Sequence, residues 1–502
     1  MPSQKLAMPQ VRRSIVYFLF GKAFSSLAGF VALMLLVRNL TVKEFAAYSV
    51  LIGSVDFLAA LSAIGLNHAI IRYVPELYVH HYRIALRSLV SYALTLRAIL
   101  LVGVAFVLLW LDGIVTDFFG LSGSESAFAA FLVLGCIRSM LMSVSQFFES
   151  ILNQGISQLG YSISSVTRMF GMLYLAQGTA FMLIDAIHVE IVSDALGLLF
   201  MLAGLVRELY LGSAEPPPAD DAGWLTANWR RIIGYSMAGY LQHLTILFAG
   251  GNTNRMLGGH YAATLDMAEF GFAQSLYEFV KRYLPSQLFI GIIRPVVLIR
   301  FIQTGNYSSS VKILENVFKI NALFIGLALA FVSVFGKEFL EFLTSGKYGT
   351  ESVRLLLVLT CVLFYETMRQ QLEVLVQVAE RYGYLIYANL LLSLSVVPGI
   401  WMLPHVGMIA LPIANLAGLV VSNYWVAWML KKHGCQYVHE WASLLLIAAV
   451  ILSSALIGWW AGAVTGRWWL GGVALSASFV LLTFVVMGRD IKRLYSFLTG
   501  ND

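Results

Sequence analysis

Fourteen runs of about 20 residues or more, each almost wholly apolar, fill the chain between Ile15 and Met487 and leave only short polar joints between them. A globular core buries one stripe of each helix and needs a polar face opposite, which these runs lack. The solvent around them is lipid. Lipid offers the backbone no hydrogen-bond partner, so a span must be a helix or a strand of a closed barrel. Barrel strands are about 10 residues long and alternate apolar with polar residues. These runs do neither, so the fold class is all-α, a polytopic membrane protein of about fourteen helices. Composition decides one point: 12% of residues are charged, and a soluble chain carries about twice that share.

The spans fall at roughly 15–37, 45–71, 89–111, 125–152, 161–183, 189–209, 230–251, 268–293, 312–335, 350–378, 382–403, 407–430, 441–462 and 467–487. The first is too long for a signal-peptide core, has no small-x-small cleavage pattern after it, and reads as an uncleaved span. A joint at 212–229 holds Glu215-Pro216-Pro217-Pro218 and Asp220-Asp221, the composition of a linker between halves. The expected organisation is a first lobe at 1–211, a cytoplasmic linker at 212–229, a second lobe at 230–432, and two further spans with a tail at 433–502. With the N-terminus in the cytoplasm and every span crossing, eighteen Lys and Arg lie in cytoplasmic segments and six, Arg255 among them, in outer ones. That asymmetry follows the positive-inside rule of an inner-membrane protein and puts both termini in the cytoplasm. The formal charge of +6 comes without a dense basic run, so nucleic acid is excluded as a partner.

The halves repeat. Arg12-Arg13-Ser14-Ile15-Val16-Tyr17 matches Arg230-Arg231-Ile232-Ile233-Gly234-Tyr235, Ile70-Ile71-Arg72 matches Ile292-Ile293-Arg294, and Arg97 answers Lys319. Phe148-Glu149 answers Leu372-Glu373, Gly160-Tyr161 answers Gly383-Tyr384, Asp194 answers Asn415 and Gly197 answers Gly418. The pairs are collinear over six spans. An even number of spans per copy puts both copies in one membrane orientation, and two such bundles facing each other enclose a cavity that rocking can open to either side.

Nine cations fall inside spans: Lys22, Arg97, Arg138, Arg168, Lys281, Arg282, Lys319, Arg354 and Arg369. A central Lys or Arg costs roughly 2.5–3.5 kcal/mol on insertion, so most must face the bundle interior or water. Six acids (Asp56, Glu149, Asp194, Glu278, Glu366 and Glu373) are the expected counter-ions, and nine less six leaves an excess of three cations. Two readings stand side by side. One is a cationic, water-filled cavity that takes an anion, with a diphosphate satisfying several Arg and Lys together. The other is ion pairing, with snorkelling at helix ends. On the first reading Arg97, Arg138, Arg168, Lys281, Arg282, Lys319 and Arg369 are the substrate-binding candidates. Lys281 and Arg282 lie mid-membrane only if the eighth span runs unbroken through Pro285. Glu149 and Glu373 occupy matching places and, with Asp56, are the ion-coupling candidates; a salt bridge or solvation at a helix end is the other reading of each. Cys136, Cys361 and Cys435 have no metal-ligand spacing, and no P-loop, Gly-x-Ser-x-Gly or His-Glu-x-x-His motif occurs. Neither a metal, a cofactor nor an enzymatic activity is expected.

The segment Arg38-Asn39-Leu40-Thr41-Val42-Lys43-Glu44-Phe45-Ala46-Ala47-Tyr48, followed by Gly65-Leu66 and Arg72-Tyr73-Val74-Pro75-Glu76, resembles the start of the polysaccharide-transporter (Wzx-type) flippases. That family belongs to the multidrug/oligosaccharidyl-lipid/polysaccharide exporter superfamily, with two six-helix lobes and two extra helices. The resemblance implies that the chain flips an undecaprenyl-diphosphate-linked oligosaccharide across a bacterial cytoplasmic membrane, for exopolysaccharide, capsule or O-antigen assembly, beside other polysaccharide-assembly membrane proteins. It also implies that intramembrane cations such as Arg97, Arg138, Arg168, Lys319 and Arg369 engage the anionic cargo.

Three other functions fit the span pattern: a flippase for the peptidoglycan lipid precursor, an ion-coupled drug exporter, and a membrane-embedded polysaccharide-assembly enzyme. A drug exporter for cationic drugs would carry the opposite lining charge, and an enzyme would show a large outer loop or a His-bearing motif. The topology has a direct check. Alkaline phosphatase fused after Asp112 should be active, and the same enzyme fused after Asp221 or at the C-terminus inactive.

Overall fold

The described residues of this computed structural model are 8–151, 153–178, 181–211, 221–288, 293–294, 297, 301, 307–379, 381, 383–437 and 439–499, with side chains from 21 to 486 apart from 211 and 242. The Pro-rich part of the linker, 212–220, lies outside them. Among them there is no strand. By packing, the chain forms two compact units, residues 1–247 with 252–268, and 248–251 with 269–502.

The first unit contains α1 (Met8–Asn39), α2 (Val42–Leu61), α3 (Leu66–Val79), α4 (Arg83–Trp110), α5 (Asp112–Phe118), α6 (Glu125–Ser150), α7 (Gln154–Ala176), α8 (Leu183–Val206), α9 (Asp221–Leu247) and most of α10 (Gly251–Tyr261). The second contains most of α11 (Thr264–Arg282), then α12 (Tyr307–Thr344), α13 (Thr350–Val378), α14 (Gly383–Leu394), α15 (Val396–Val406), α16 (Ala410–Lys432), α17 (Trp441–Thr465) and α18 (Trp468–Thr499). Nine described stretches are long and apolar enough to cross a membrane, ten if α9 and α10, bent by 45°, count as one span. Each expected span coincides with a helix or a pair of helices, except that the end of the eighth, 289–292, lies outside the described residues. Three of them, α7, α11 and α13, are too polar to pass by apolarity alone.

Span two is not continuous. Helix α2 stops at Leu61 and α3 starts at Leu66, through Ile64 (φ 36°) and Gly65 (φ 73°). A Cβ on Gly65 would lie 2.1 Å from the Ser236 carbonyl oxygen of α9, so the break falls where only glycine fits. The break frees the last carbonyls of α2, and resident donors take them. Arg97 Nη2 donates to Ala59 O (3.1 Å), Ser62 Oγ to Leu58 O (2.8 Å), and Tyr240 Oη to Leu61 O (3.1 Å). Span eight is interrupted too: α11 ends at Arg282 and helix resumes at Pro285. Proline disfavours a helical residue before it and donates no amide. Lys281 and Arg282 therefore close a helix rather than occupy the middle of one.

Each unit packs its equivalent helices in the same order. In the first, α6 lies on α8, α7 on α8, and α4 on α6; in the second, α13 lies on α16, α14 and α15 on α16, and α12 on α13. The crossing of the fifth and sixth spans is built alike in both. Ser164 donates to Asp194, and Gly197 admits the Gly160 carbonyl at 2.8 Å from where its Cβ would stand. Ser395 donates to Asn415 (3.4 Å), and Gly418 admits Ser395 at 2.6 Å from the equivalent point. The collinear Asp194/Asn415 and Gly197/Gly418 pairs of the sequence thus occupy one local design.

Two carboxylates fasten the first unit. Glu44 closes a capping box with Thr41 on α2, and its other oxygen accepts the amide of Leu183, the first residue of α8 (3.1 Å). Asp221, 1% exposed at the start of α9, accepts the amides of Ile84 and Ala85 (2.8 Å each) and so caps α4 from across the linker. Asp221→Ala should cost about 2 kcal/mol and Asp221→Asn about half of that, read as the shift in thermal unfolding of the detergent-solubilised protein.

Candidate functional site

The largest assembly of charge inside the described membrane region belongs to the first unit and follows from helix spacing. On α8, Glu190 and Asp194 stand four residues apart, on one face. That face meets α6 and α7, which contribute Arg138 and Arg168. Arg138 Nη2 donates to Glu190 (2.7 Å) and Arg138 Nε to Asp194 (2.7 Å), while Arg168 Nη2 donates to the other oxygen of Asp194 (2.6 Å). Tyr48 of α2 donates to Glu190 (2.6 Å), and Ser164 of α7 to Asp194. Four helices meet at this cluster.

Its charges balance, with two guanidiniums against two carboxylates. The carboxylates are sealed, with side chains 1% and 2% exposed, but both arginine side chains are 21% exposed. The cationic edge of the cluster is the accessible one. Guanidinium forks held in plane by carboxylates are suited to a tetrahedral oxyanion that offers two or more oxygens.

The other predicted residues lie apart. Arg97 (3% exposed) is the donor to the broken span two described above; its Nε and Nη1 have no hydrogen-bond partner among the described residues. In the second unit Lys281 pairs with Glu366 (2.6 Å), and Arg282 is exposed. Lys319, 6% exposed, bonds to Glu440 with Glu315 nearby (3.9 Å), and the Glu440 amide donates to Glu315 (2.6 Å). This arrangement fastens the start of α17 to α12. Hydrogen bonds from Lys319 and Ser443 hold the Glu440 carboxyl below the usual carboxylate range. Arg369 donates to Asn389 and lies 3.6 Å from Glu373, which also faces Arg294 (3.8 Å). Glu149 accepts from Ser145 (2.9 Å), and Asp56 accepts from Asn252 (2.6 Å). Among the described residues no three His, Cys, Asp or Glu side chains are grouped to hold a metal ion.

Pairing is thus more complete than the inventory of acids allows. Glu190 is absent from that inventory, though its place four residues before Asp194 on an apolar helix is a usable signal. Glu440 lies just outside its span and reaches in, and Glu351 pairs with Arg354 (2.5 Å). These three acids pair with Arg138, Lys319 and Arg354, while Arg97 meets a carbonyl instead of an acid. Arg255 is a second correction. The charge count puts it in an outer loop because Gly251–Tyr261 is polar, but the segment is helix α10 and Arg255 is 1% exposed, set against Gly53 of α2.

No protein-family model matches the chain, and no curated protein matches it either. Solved structures do. A lipid II flippase, MurJ, in an inward closed conformation, is similar with a TM-score of 0.65 over 95% of this chain and 99% of that one, at 12% identity. An inward-facing multidrug resistance MATE transporter of the MOP superfamily gives 0.63 over 81% and 95%, at 12% identity. The MATE multidrug transporter DinF-BH, solved as a complex, gives 0.58 over 86% and 96%, at 14% identity. The chain is an all-α, multi-pass membrane protein with the fold of MOP-type flippases and transporters.

The neutral Ser395–Asn415 crossing in the second unit shows what the same architecture does without charge. Arg138→Met should destabilise the protein by about 3–5 kcal/mol, because it leaves the buried Glu190 without its cation and Asp194 with only Arg168. Adding Arg168→Met, Glu190→Gln and Asp194→Asn should recover most of that loss in thermal unfolding. Failure to recover would make the charges structural.

Proposed function

We propose that this protein is a flippase for a lipid-linked oligosaccharide joined to undecaprenol through a diphosphate, working by alternating access in the bacterial cytoplasmic membrane. The observation that carries the reading is the pair of partly exposed guanidiniums, Arg138 and Arg168, presented by a buried carboxylate frame within a flippase-type fold. The diphosphate is the charged feature common to such cargoes whatever sugar they bear. It is held by the arginines while the polyprenyl chain remains in lipid, where each CH₂ avoids a transfer cost of about 0.8 kcal/mol. The resemblance of residues 38–48 and 72–76 to Wzx-type flippases supports the polysaccharide branch of the superfamily. On this reading both termini are cytoplasmic and the partners are other polysaccharide-assembly membrane proteins.

A second reading takes the peptidoglycan lipid precursor as cargo. The likeness in fold to the lipid II flippase, over nearly the whole length of both chains, favours it. Both cargoes present a diphosphate, so the two readings share the site and differ in the sugar.

A deletion strain separates them. Loss of surface polysaccharide, with its lipid-linked repeat unit trapped in the inner leaflet, is expected; rescue of a strain lacking lipid II flipping would move the assignment to the second reading. Arg138→Gln/Arg168→Gln should lower flipping at least tenfold while the protein remains in the membrane. Normal flipping by that variant would remove the site.

A further inference from the structure

The two crossings of the fifth and sixth spans share a polar residue on the sixth span and a glycine three residues later, but only the first is charged. Asn415 stands where Asp194 does, and its neighbour Ser395 reaches it only at 3.4 Å while lying closer to Leu392 O (2.6 Å). The second unit shows that this crossing closes with neutral groups. A buried ion cluster contributes little net stability over a neutral replacement, so packing alone does not account for Glu190, Asp194, Arg138 and Arg168. Their charges have another use.

The cluster is already neutral, although the guanidiniums keep donors to spare, the buried Arg168 Nε among them. Arg138 spends Nε and Nη2 on the two carboxylates, and Arg168 spends Nη2 on Asp194. A diphosphate arriving at the exposed edge of these guanidiniums competes with the resident carboxylates for their positive charge. It cannot simply add to them. Two phosphates joining two arginines and two carboxylates would give two positive charges against four negative ones in a site walled by apolar helices, an arrangement that low dielectric forbids.

We propose that Glu190 and Asp194 are resident stand-ins for the cargo's diphosphate, and that cargo binding transfers Arg138 and Arg168 to the phosphates while the released carboxylates each take a proton from solvent. The exchange balances. Two guanidinium–carboxylate pairs are replaced by two guanidinium–phosphate pairs, and two solvent protons end on Glu190 and Asp194. Loaded and empty clusters therefore both carry no net charge, and neither state leaves an unpaired ion facing lipid. The groups facing the two acids are few. They are Tyr48 from α2, Arg138 from α6, and Ser164 with Arg168 from α7. Tyr48 and Ser164 are hydroxyls that can turn from donor to acceptor as the acids gain protons. Helix α1, which also packs on α7, meets it through a hydroxyl pair, Ser25 with Ser162 (2.8 Å).

This inference rests on a diphosphate being the cargo group, and its test separates the two claims. The probe is a short-chain polyprenyl diphosphate N-acetylglucosamine. Its two acidic groups stay ionised near neutral pH, so any proton taken up belongs to the protein. Calorimetric titration of the purified full-length protein in two buffers of different ionisation enthalpy gives protons bound per ligand. Up to two are expected, with affinity rising about tenfold per proton for each pH unit lowered. Glu190→Gln/Asp194→Asn should bind the probe with no proton uptake and with affinity flat across pH. Binding by the natural protein without proton uptake would overturn the exchange and leave the proposed cargo standing, and so would unchanged uptake by the double variant. No binding of the probe would remove the proposed function and this inference with it. The natural protein alone decides the first question, so a variant that fails to fold does not spoil the test.

Discussion

Lipid cannot hydrogen-bond a peptide group, and most of this structure answers that constraint. Unbroken helices answer it within themselves. Where a span breaks, something else must supply donors, and at the break of span two the supply is specific: Arg97, Ser62 and Tyr240 take the carbonyls of Ala59, Leu58 and Leu61. Arg97 comes from α4 and Tyr240 from α9, so the break welds three helices. The guanidinium suits this place because it keeps its charge at the negative end of α2. Glycine at position 65 then lets α9 approach where any side chain would collide.

A second consequence concerns the carboxylates at joints. Glu44, Asp221 and Glu440 each stand at the start of a helix and reach beyond it. Glu44 links α2 to α8, Asp221 links α9 to α4, and Glu440 links α17 to α12. Helix N-termini carry unsatisfied amides and partial positive charge, so an acid there is favoured locally and has an oxygen to spare. In a chain poor in charge, acids at these few polar joints hold together helices whose apolar faces make weakly discriminating contacts.

Span number, charge asymmetry and repeat were legible because each rests on a pattern repeated many times. The register of Asp194 with Asn415 and of Gly197 with Gly418 is readable from single letters because helix crossings need small residues at fixed places. What the sequence hid was pairing. Glu190 shows as an acid in a long apolar helix, but its partner Arg138 is 52 residues away. Glu440 lies beyond the end of its span, 121 residues from Lys319. An inventory of acids and bases by span cannot see either contact, so it overstates the free positive charge. Breaks were hidden for a related reason. Ser62-Ala63-Ile64-Gly65 is apolar enough to pass as helix, but Ile64 and Gly65 take positive φ and Ser236 of α9 sits where a Cβ at position 65 would stand. Arg255 misleads in the opposite sense: a polar segment reads as loop although it forms a helix packed on α2.

The cations the sequence grouped together therefore divide by what they hold. Arg97 grips the Ala59 carbonyl at the break of span two, which the Ser62 hydroxyl also approaches (3.2 Å), and Lys319 grips a joint that fastens two spans. Both are nearly sealed, at 3% and 6% exposure. Arg138 and Arg168 hold only carboxylates, and a carboxylate has a second stable state in an apolar site because it can take a proton. A carbonyl has none. The difference separates Arg97 from the cluster arginines, and exposure separates Lys319, which also holds carboxylates but is nearly sealed. Arg138 and Arg168, at 21% exposure, are open to an incoming anion in a way that Arg97 and Lys319 are not.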